Sequence, residues 1–234
     1  MLLKHGVHIP YKQDWLGKEH VWVVLDGSDI SSYDLLLWYV DKVVEINPGS
    51  IAIVERDGER FKRAFFSFRV CIVGYTKACR PLLFVDDTHL LGKYQGTLLG
   101  ATGKDGNNGF FHVAFGIVDN ETDANRTWFI SKLGDALYEE GDYHEIITFV
   151  SDRSKGLVNA IARVLPSSPH AYCLRYLEAN FMKANVRLGK ALREECWSIY
   201  FRIAWASTAK DFNDTVQTRL RCNNADRHQR SSIY

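Results

Sequence analysis

The sequence predicts an α/β fold: a mixed sheet of three antiparallel strands plus parallel strands, with helices on both faces and an N-terminal helical and hairpin extension. Three observations predict it. Apolar runs of strand length recur from residue 82 onward, and in one of them Phe111, Val113, Phe115 and Ile117 fall at every second position, the period of a strand with one face inward. Segments with helical spacing separate the later strands. The resulting order, β-β-β-α-β-α-β followed by helices, fits a sheet covered on both sides.

Residues 10–46 read as mostly helical, with Leu35, Leu36, Tyr39, Val43 and Ile46 spaced for one apolar face. Asn47-Pro48-Gly49-Ser50 is a turn signal. Ile51–Glu55 and Phe61–Phe68 then read as strands joined at Asp57-Gly58, a hairpin signal. Arg80-Pro81 marks a boundary. Leu82-Leu83-Phe84-Val85 is a continuous apolar run ending in Asp86-Asp87, as expected of a strand buried on both faces. Thr97–Thr102 is the second strand of this region, Gly106-Asn107-Asn108-Gly109 a turn, and 110–118 the third, so an antiparallel meander is expected.

A helix follows over 123–139, started by Thr122 or Asp123 and carrying Phe129, Leu133 and Leu137 on one side. Ile146–Val150 is the next strand, with Ser151-Asp152-Arg153 at its C-terminal end. Leu157, Ile161 and Val164 define another helix, and His170–Cys173 a short strand. Leu188, Leu192, Cys196, Ile199 and Ile203 form a late helical stripe, and Phe212, Val216 and Leu220 a second. The expected organisation is an extension over 1–80, a main domain over 81–222 with late helices from about 177, and a basic tail over 223–234.

Composition narrows the function classes. The 234 residues suffice for one sizeable core, and 46% hydrophobic with 24% charged residues is ordinary for a globular protein. No apolar run reaches the roughly 18–20 residues of a membrane span, and the first residues lack a secretory core, so an intracellular protein is expected. The five cysteines, Cys71, Cys79, Cys173, Cys196 and Cys222, form no CxxC pair, which argues against a disulfide framework or a zinc ribbon. Formal net charge is +1, so nucleic-acid contact must come from local patches. Arg219, Arg221, Arg227, His228 and Arg230 make one such patch, or a solvated tail.

Two aspartates stand out by position: Asp86 closes the first strand of the meander, and Asp152 closes the fourth strand. On adjacent strands their carboxylates would converge, an arrangement costly without cations because like charges oppose each other's ionisation. Hard oxygen ligands suit magnesium or manganese. An aspartate at a strand end is also a common turn-former or helix cap.

The surrounding residues carry more. Val85-Asp86-Asp87-Thr88-His89-Leu90, then Gly92-Lys93-Tyr94-Gln95-Gly96-Thr97-Leu98-Leu99, resembles the "DGTHL…GKYKGTLL" signature of Mutator-like element (MULE) transposases. Asp105-Gly106-Asn107-Asn108 followed by Ala114-Phe115-Gly116-Ile117-Val118 is similar to the next block. Thr127-Trp128-Phe129 sits where that family has "WTWFL", Ser151-Asp152-Arg153-Ser154-Lys155-Gly156-Leu157 matches "SDRQKGL", and His170-Ala171-Tyr172-Cys173-Leu174-Arg175 matches "HRYCLRH". Asn47-Pro48-Gly49-Ser50 and Cys79-Arg80-Pro81 upstream also look like it. Several ordered blocks at family spacing weigh far more than any one of them.

The resemblance implies an RNase H-like transposase core with a DDE triad, in which Asp86 is the first acid and Asp152 the second, both holding Mg2+ or Mn2+ for DNA cleavage and strand transfer. It implies DNA as partner, with a homo-oligomer possible in that setting, no membrane, and the nucleus as location. The family's third acid is a glutamate in a region resembling Ala206-Ser207-Thr208-Ala209-Lys210-Asp211-Phe212-Asn213, yet no glutamate follows Glu195. Asp211 is the choice there, against a solvated helix-start carboxylate; Glu194 and Glu195 lie one helix too early. Asp87 replaces the family's glycine and is expected to face the opposite layer from Asp86. Tyr176 replaces the histidine of Cys-x-x-His, leaving Cys173 as a buried thiol. Family zinc modules, of Cys-x-Cys…Cys-x-His type among others, have no counterpart here. The expectation is a truncated or degenerate transposase domain; the alternative is a catalytically inactive, domesticated derivative acting as a DNA-binding or transcription-regulatory protein. His89, Lys93, Lys104, Arg153 and Lys155 are candidate phosphate contacts, while Trp128, Trp197 and Trp205 are expected to serve the core.

Overall fold

A computed structural model of the chain describes residues 10–26, 29–91, 95–138 and 144–217. Two helices lead, α1 (Tyr11–Asp26) and α2 (Asp29–Ile46), followed by the hairpin β1 (Ile51–Asp57) and β2 (Arg60–Ser67). Then come α3 (Arg69–Ala78), the meander β3 (Cys79–His89), β4 (Thr97–Asp105) and β5 (Phe110–Val118), and α4 (Asp123–Tyr138). The order continues β6 (Thr148–Ser151), α5 (Lys155–Val164), β7 (His170–Tyr172), α6 (Leu174–Ala184), a 3-10 turn at Val186–Leu188, and α7 (Lys190–Ala204). Residues 209–217 are helical.

The strands form one mixed sheet in the order β1-β2-β5-β4-β3-β6-β7. β3, β4 and β5 pair antiparallel, as the meander reading expects, while β6 joins β3 in parallel. The sheet with its helices is RNase H-like. The hairpin does not hang off it: β2 pairs with β5, Phe65 opposite Gly116. β3 runs through Pro81, and its pairing with β4 slips between Cys79 and Leu83, where proline has no N–H to give the ladder.

Two compact units are present among the described residues. The first runs to Val150 and resumes over Lys155–His170; the second holds Ser151–Ser154 and the chain from Ala171. In the first, strand alternation sorts side chains between two layers. Phe65, Leu83, Val85, Leu99 and Ala101 point into the main core with Tyr75 of α3, Phe129 and Leu133 of α4, and Leu157 and Ile161 of α5. Ala64 and Phe66 turn the other way and pack against Val40 and Leu36 of α2. Helices therefore lie on both faces, as the pattern predicts.

Several elements differ from expectation. The apolar face of α2 is Leu36, Val40 and Val43, whereas Leu35, Tyr39 and Ile46 are exposed. Spacing admits both stripes; contact with Ala64 and Phe66 selects the one that seats on the sheet. β3 is fully buried on one face only: Leu83 and Val85 are enclosed, Leu82 and Phe84 half-buried, Asp86 exposed. Helix α3 was not expected. Its side chains Ile72 and Tyr75 are buried, and Gly74 lets the Phe111 ring lie against the helix backbone.

Turn and cap residues behave as their chemistry dictates. The Asp105 carboxylate accepts from the N–H groups of Asn107 and Gly109 at 2.8 and 2.7 Å, closing the β4–β5 turn with Asn108 at φ 66°. Thr122 starts α4, its hydroxyl accepting from the Asn125 N–H at 3.2 Å.

In the second unit, α6 and α7 pack aromatic side chains, Phe181 against Trp197 and Tyr200 with ring centroids 5.9 and 5.4 Å apart, and neither helix has a fully buried residue. Leu192, Cys196, Ile199 and Ile203 line one half-buried face of α7. Trp205, expected in the core, is exposed, because α7 ends at Ala204 and the indole follows the last turn. Leu220 lies outside the described residues.

Candidate metal centre

Asp152 directly follows β6, as expected, whereas Asp86 does not close its strand: β3 continues to His89, because its pairing with β4 runs on through His89 opposite Thr97. In the parallel β3–β6 pairing, Leu82 faces Thr148, Leu83 faces Phe149 and Phe84 faces Val150. Asp86 follows Phe84 by two positions and Asp152 follows Val150 by two. Asp86 is exposed and its Oδ1 accepts from the Asp87 N–H at 3.0 Å. Asp152 is half-buried, with Oδ1 accepting from the Ser154 N–H at 3.0 Å in an Asx turn that leads toward α5. The Ser151 hydroxyl, on a buried residue, donates to the Asp152 carbonyl at 2.7 Å.

Asp87 turns to the face that carries α4, opposite to that of Asp86, as expected of adjacent strand residues. There the Arg126 Nη2 donates to its Oδ2 at 3.0 Å, and the same nitrogen pairs with Glu121. The Arg126 side chain is only 9% exposed and that of Asp87 20%, so the pair is shielded enough for the charges to matter. Glu121 also stands 3.7 Å from the His89 ring, whose side chain is 75% exposed. Sequence reasoning missed Arg126 and Glu121. The signal was available: a carboxylate at an inward strand position needs a cation, and Arg126 directly precedes Thr127-Trp128-Phe129.

Gly156 has a reason of its own. A Cβ there would collide with Nη1 and Cδ of Arg126 and with the Asp123 carboxylate. The Lys-Gly step of "SDRSKGL" thus lets the first turn of α5 close on α4.

Several of the remaining candidates have local partners. Asp211 is exposed, and with Thr208 it forms a reciprocal helix cap: the Thr208 hydroxyl donates to Asp211 Oδ2 at 2.7 Å and accepts from the Asp211 N–H at 3.1 Å. Thr208→Ala is expected to speed amide exchange over 209–217 about fivefold, the equivalent of a lost cap worth ~1 kcal/mol; unchanged exchange would show that the cap does not hold this helix. The Lys104 ammonium stacks on Phe110 at 4.0 Å and donates to the Asn108 carbonyl at 2.8 Å, tying down the hairpin. The Arg153 guanidinium lies 5.8 Å from the centre of the Tyr172 ring, and Lys155 is exposed at the start of α5. Lys93 and the arginines from 219 onward lie outside the described residues. Trp128 does serve the core and donates to Glu55 Oε1 at 2.7 Å. Cys173 is half-buried at the start of α6 and Tyr176 exposed. Burial pushes the Cys71 and Cys79 thiols up, with the Asp105 charge adding to it at Cys79, which makes both poor nucleophiles.

Among the described residues, no three His, Cys, Asp or Glu side chains converge as a ready metal cage, and no helix is long and apolar enough to cross a membrane. Asp86 and Asp152 each offer carboxylate oxygens, donors of the kind a hard divalent cation takes. No curated protein matches the chain. The family model described as MULE transposase domain matches residues 82–180, from within β3 to within α6. Over that segment the chain is similar to MULE transposase domains.

Proposed function

We propose that the chain cleaves and joins DNA at a divalent-metal site built on Asp86 and Asp152. The observation that carries this reading is the parallel β3–β6 register, with Phe84 opposite Val150 and each aspartate two residues further on. The carboxylates fit Mg2+ or Mn2+, which take oxygen ligands and keep several waters and substrate oxygens in their shells. When bound, such an ion supplies the positive charge that phosphodiester transfer needs at its attacking and departing oxygens. Asp86 and Asp152 would hold it; Arg153 and Lys155, beside Asp152 in sequence, would steady the DNA backbone. Asp211 is the third acid of this reading, one methylene shorter than the glutamate it stands for. A displacement near 1 Å costs on the order of 100-fold in rate. DNA as partner, a catalytic domain over 81–222 and a nuclear location follow from the same reading.

A second reading is favoured by the engagement of Asp211 with Thr208 and by the lack of a three-residue cage among the described residues: an inactive derivative that binds DNA in a regulatory role. Nicking of supercoiled DNA in Mn2+ decides between them. The first reading expects nicking by the wild type that falls to background in Asp86→Ala and in Asp152→Ala, and weakens in Asp211→Ala. Equal background in the wild type and all variants leaves only the second.

A further inference from the structure

We infer that Arg126 is a positioning residue that sets the Asp86 carboxylate from behind the sheet, acting through Asp87; the inference rests on the metal-site reading above. The path is two bonds long. Arg126 Nη2 donates to Asp87 Oδ2 at 3.0 Å, and the Asp87 N–H donates to Asp86 Oδ1 at 3.0 Å. Neighbouring strand residues face opposite layers, so a pull on the inner side chain fixes the peptide whose N–H meets the outer carboxylate.

Arg126 is itself pinned. Its guanidinium is nearly enclosed, paired with Asp87 and Glu121, and pressed so closely on Gly156 that a methyl group there would have no room. Its Nε is buried without a hydrogen-bond partner among the described residues. An unmet donor of that kind is costly, so the two carboxylates are what hold the guanidinium in place. Gly156 lies four residues after Asp152. One guanidinium therefore braces the segment next to each aspartate. Groups behind a metal ligand commonly decide its orientation, and losing them costs about 10–100-fold in metal affinity.

Manganese binding by the full chain without DNA, read by water-proton relaxation, tests this apart from catalysis. Asp87→Asn, which keeps the side-chain shape, and Arg126→Met should each weaken manganese binding about tenfold or more. The double variant should bind no worse than the weaker single, because both act on one path. Arg126→Lys keeps the charge and should recover part of the loss. Unchanged manganese affinity in folded Asp87→Asn overturns the inference, whether or not Arg126→Met folds. A wild type that binds no manganese, or an Asp86→Asn variant that binds it equally well, defeats the metal-site reading and this inference with it.

Discussion

Arg126→Met is expected to cost the fold about 3 kcal/mol, the lower end of what removing one partner of a buried ion pair costs. The reason is the charge left behind. Asp87, with a side chain 20% exposed, loses the guanidinium 3.0 Å away and must stay ionised in a shielded layer or take up a proton. Glu121 loses a partner too, but at 34% exposure water screens most of that loss. The sign of the double variant separates this cause from lost packing: Arg126→Met with Asp87→Leu should recover most of the stability, because replacing both members of a buried pair by apolar groups is often neutral. Urea unfolding of the three proteins measures it. A double variant as unstable as Arg126→Met would mean that the aliphatic stem of Arg126, and not its charge, supports the junction of α4 and α5.

Phe129→Ala is expected to cost about 3–5 kcal/mol, the range for a fully enclosed aromatic side chain. The ring is 0% exposed and sits 5.7 Å from the Phe65 ring. It also lies against the backbone of Gly116, where a Cβ would approach it to 2.8 Å. That contact explains the glycine inside β5: the strand gives up a side chain so that the helix can close. Little can collapse into the space the phenyl would leave, since its neighbours belong to the rigid β2–β5 pairing. Thermal or urea unfolding reads the loss, and a cost under about 1 kcal/mol would show the core to be looser than its packing implies.

The sheet was legible because period and turn chemistry agree along it. Asp57-Gly58, Gly106–Gly109 and the alternation from Phe111 to Ile117 each specify one local geometry, and β1, β2 and β5 follow them. The two candidate acids were legible by place, each closing an apolar run. What spacing left undetermined was contact between layers. The stripe on α2 has two readings until Ala64 and Phe66 choose one. The partner of Asp87 lies 39 residues downstream, beyond the reach of any periodic argument. Helix α3 hid because Arg69–Ala78 mixes β-branched and small residues between two strands, and only burial of Ile72 and Tyr75 gives it a face. Asp211 shows the limit differently: the sequence position admits either a helix start or a metal ligand, and in the structure its carboxylate meets the Thr208 hydroxyl.

The join between β3 and β6 has a further consequence, for the order of assembly. The three strands of the meander find each other across short turns, whereas Leu82 must wait for Thr148, 66 positions later. Closing so long a loop costs more entropy than closing a hairpin, and pairings of that kind form late. A chain still in the act of folding therefore builds the meander first and adds β6 to its edge afterwards.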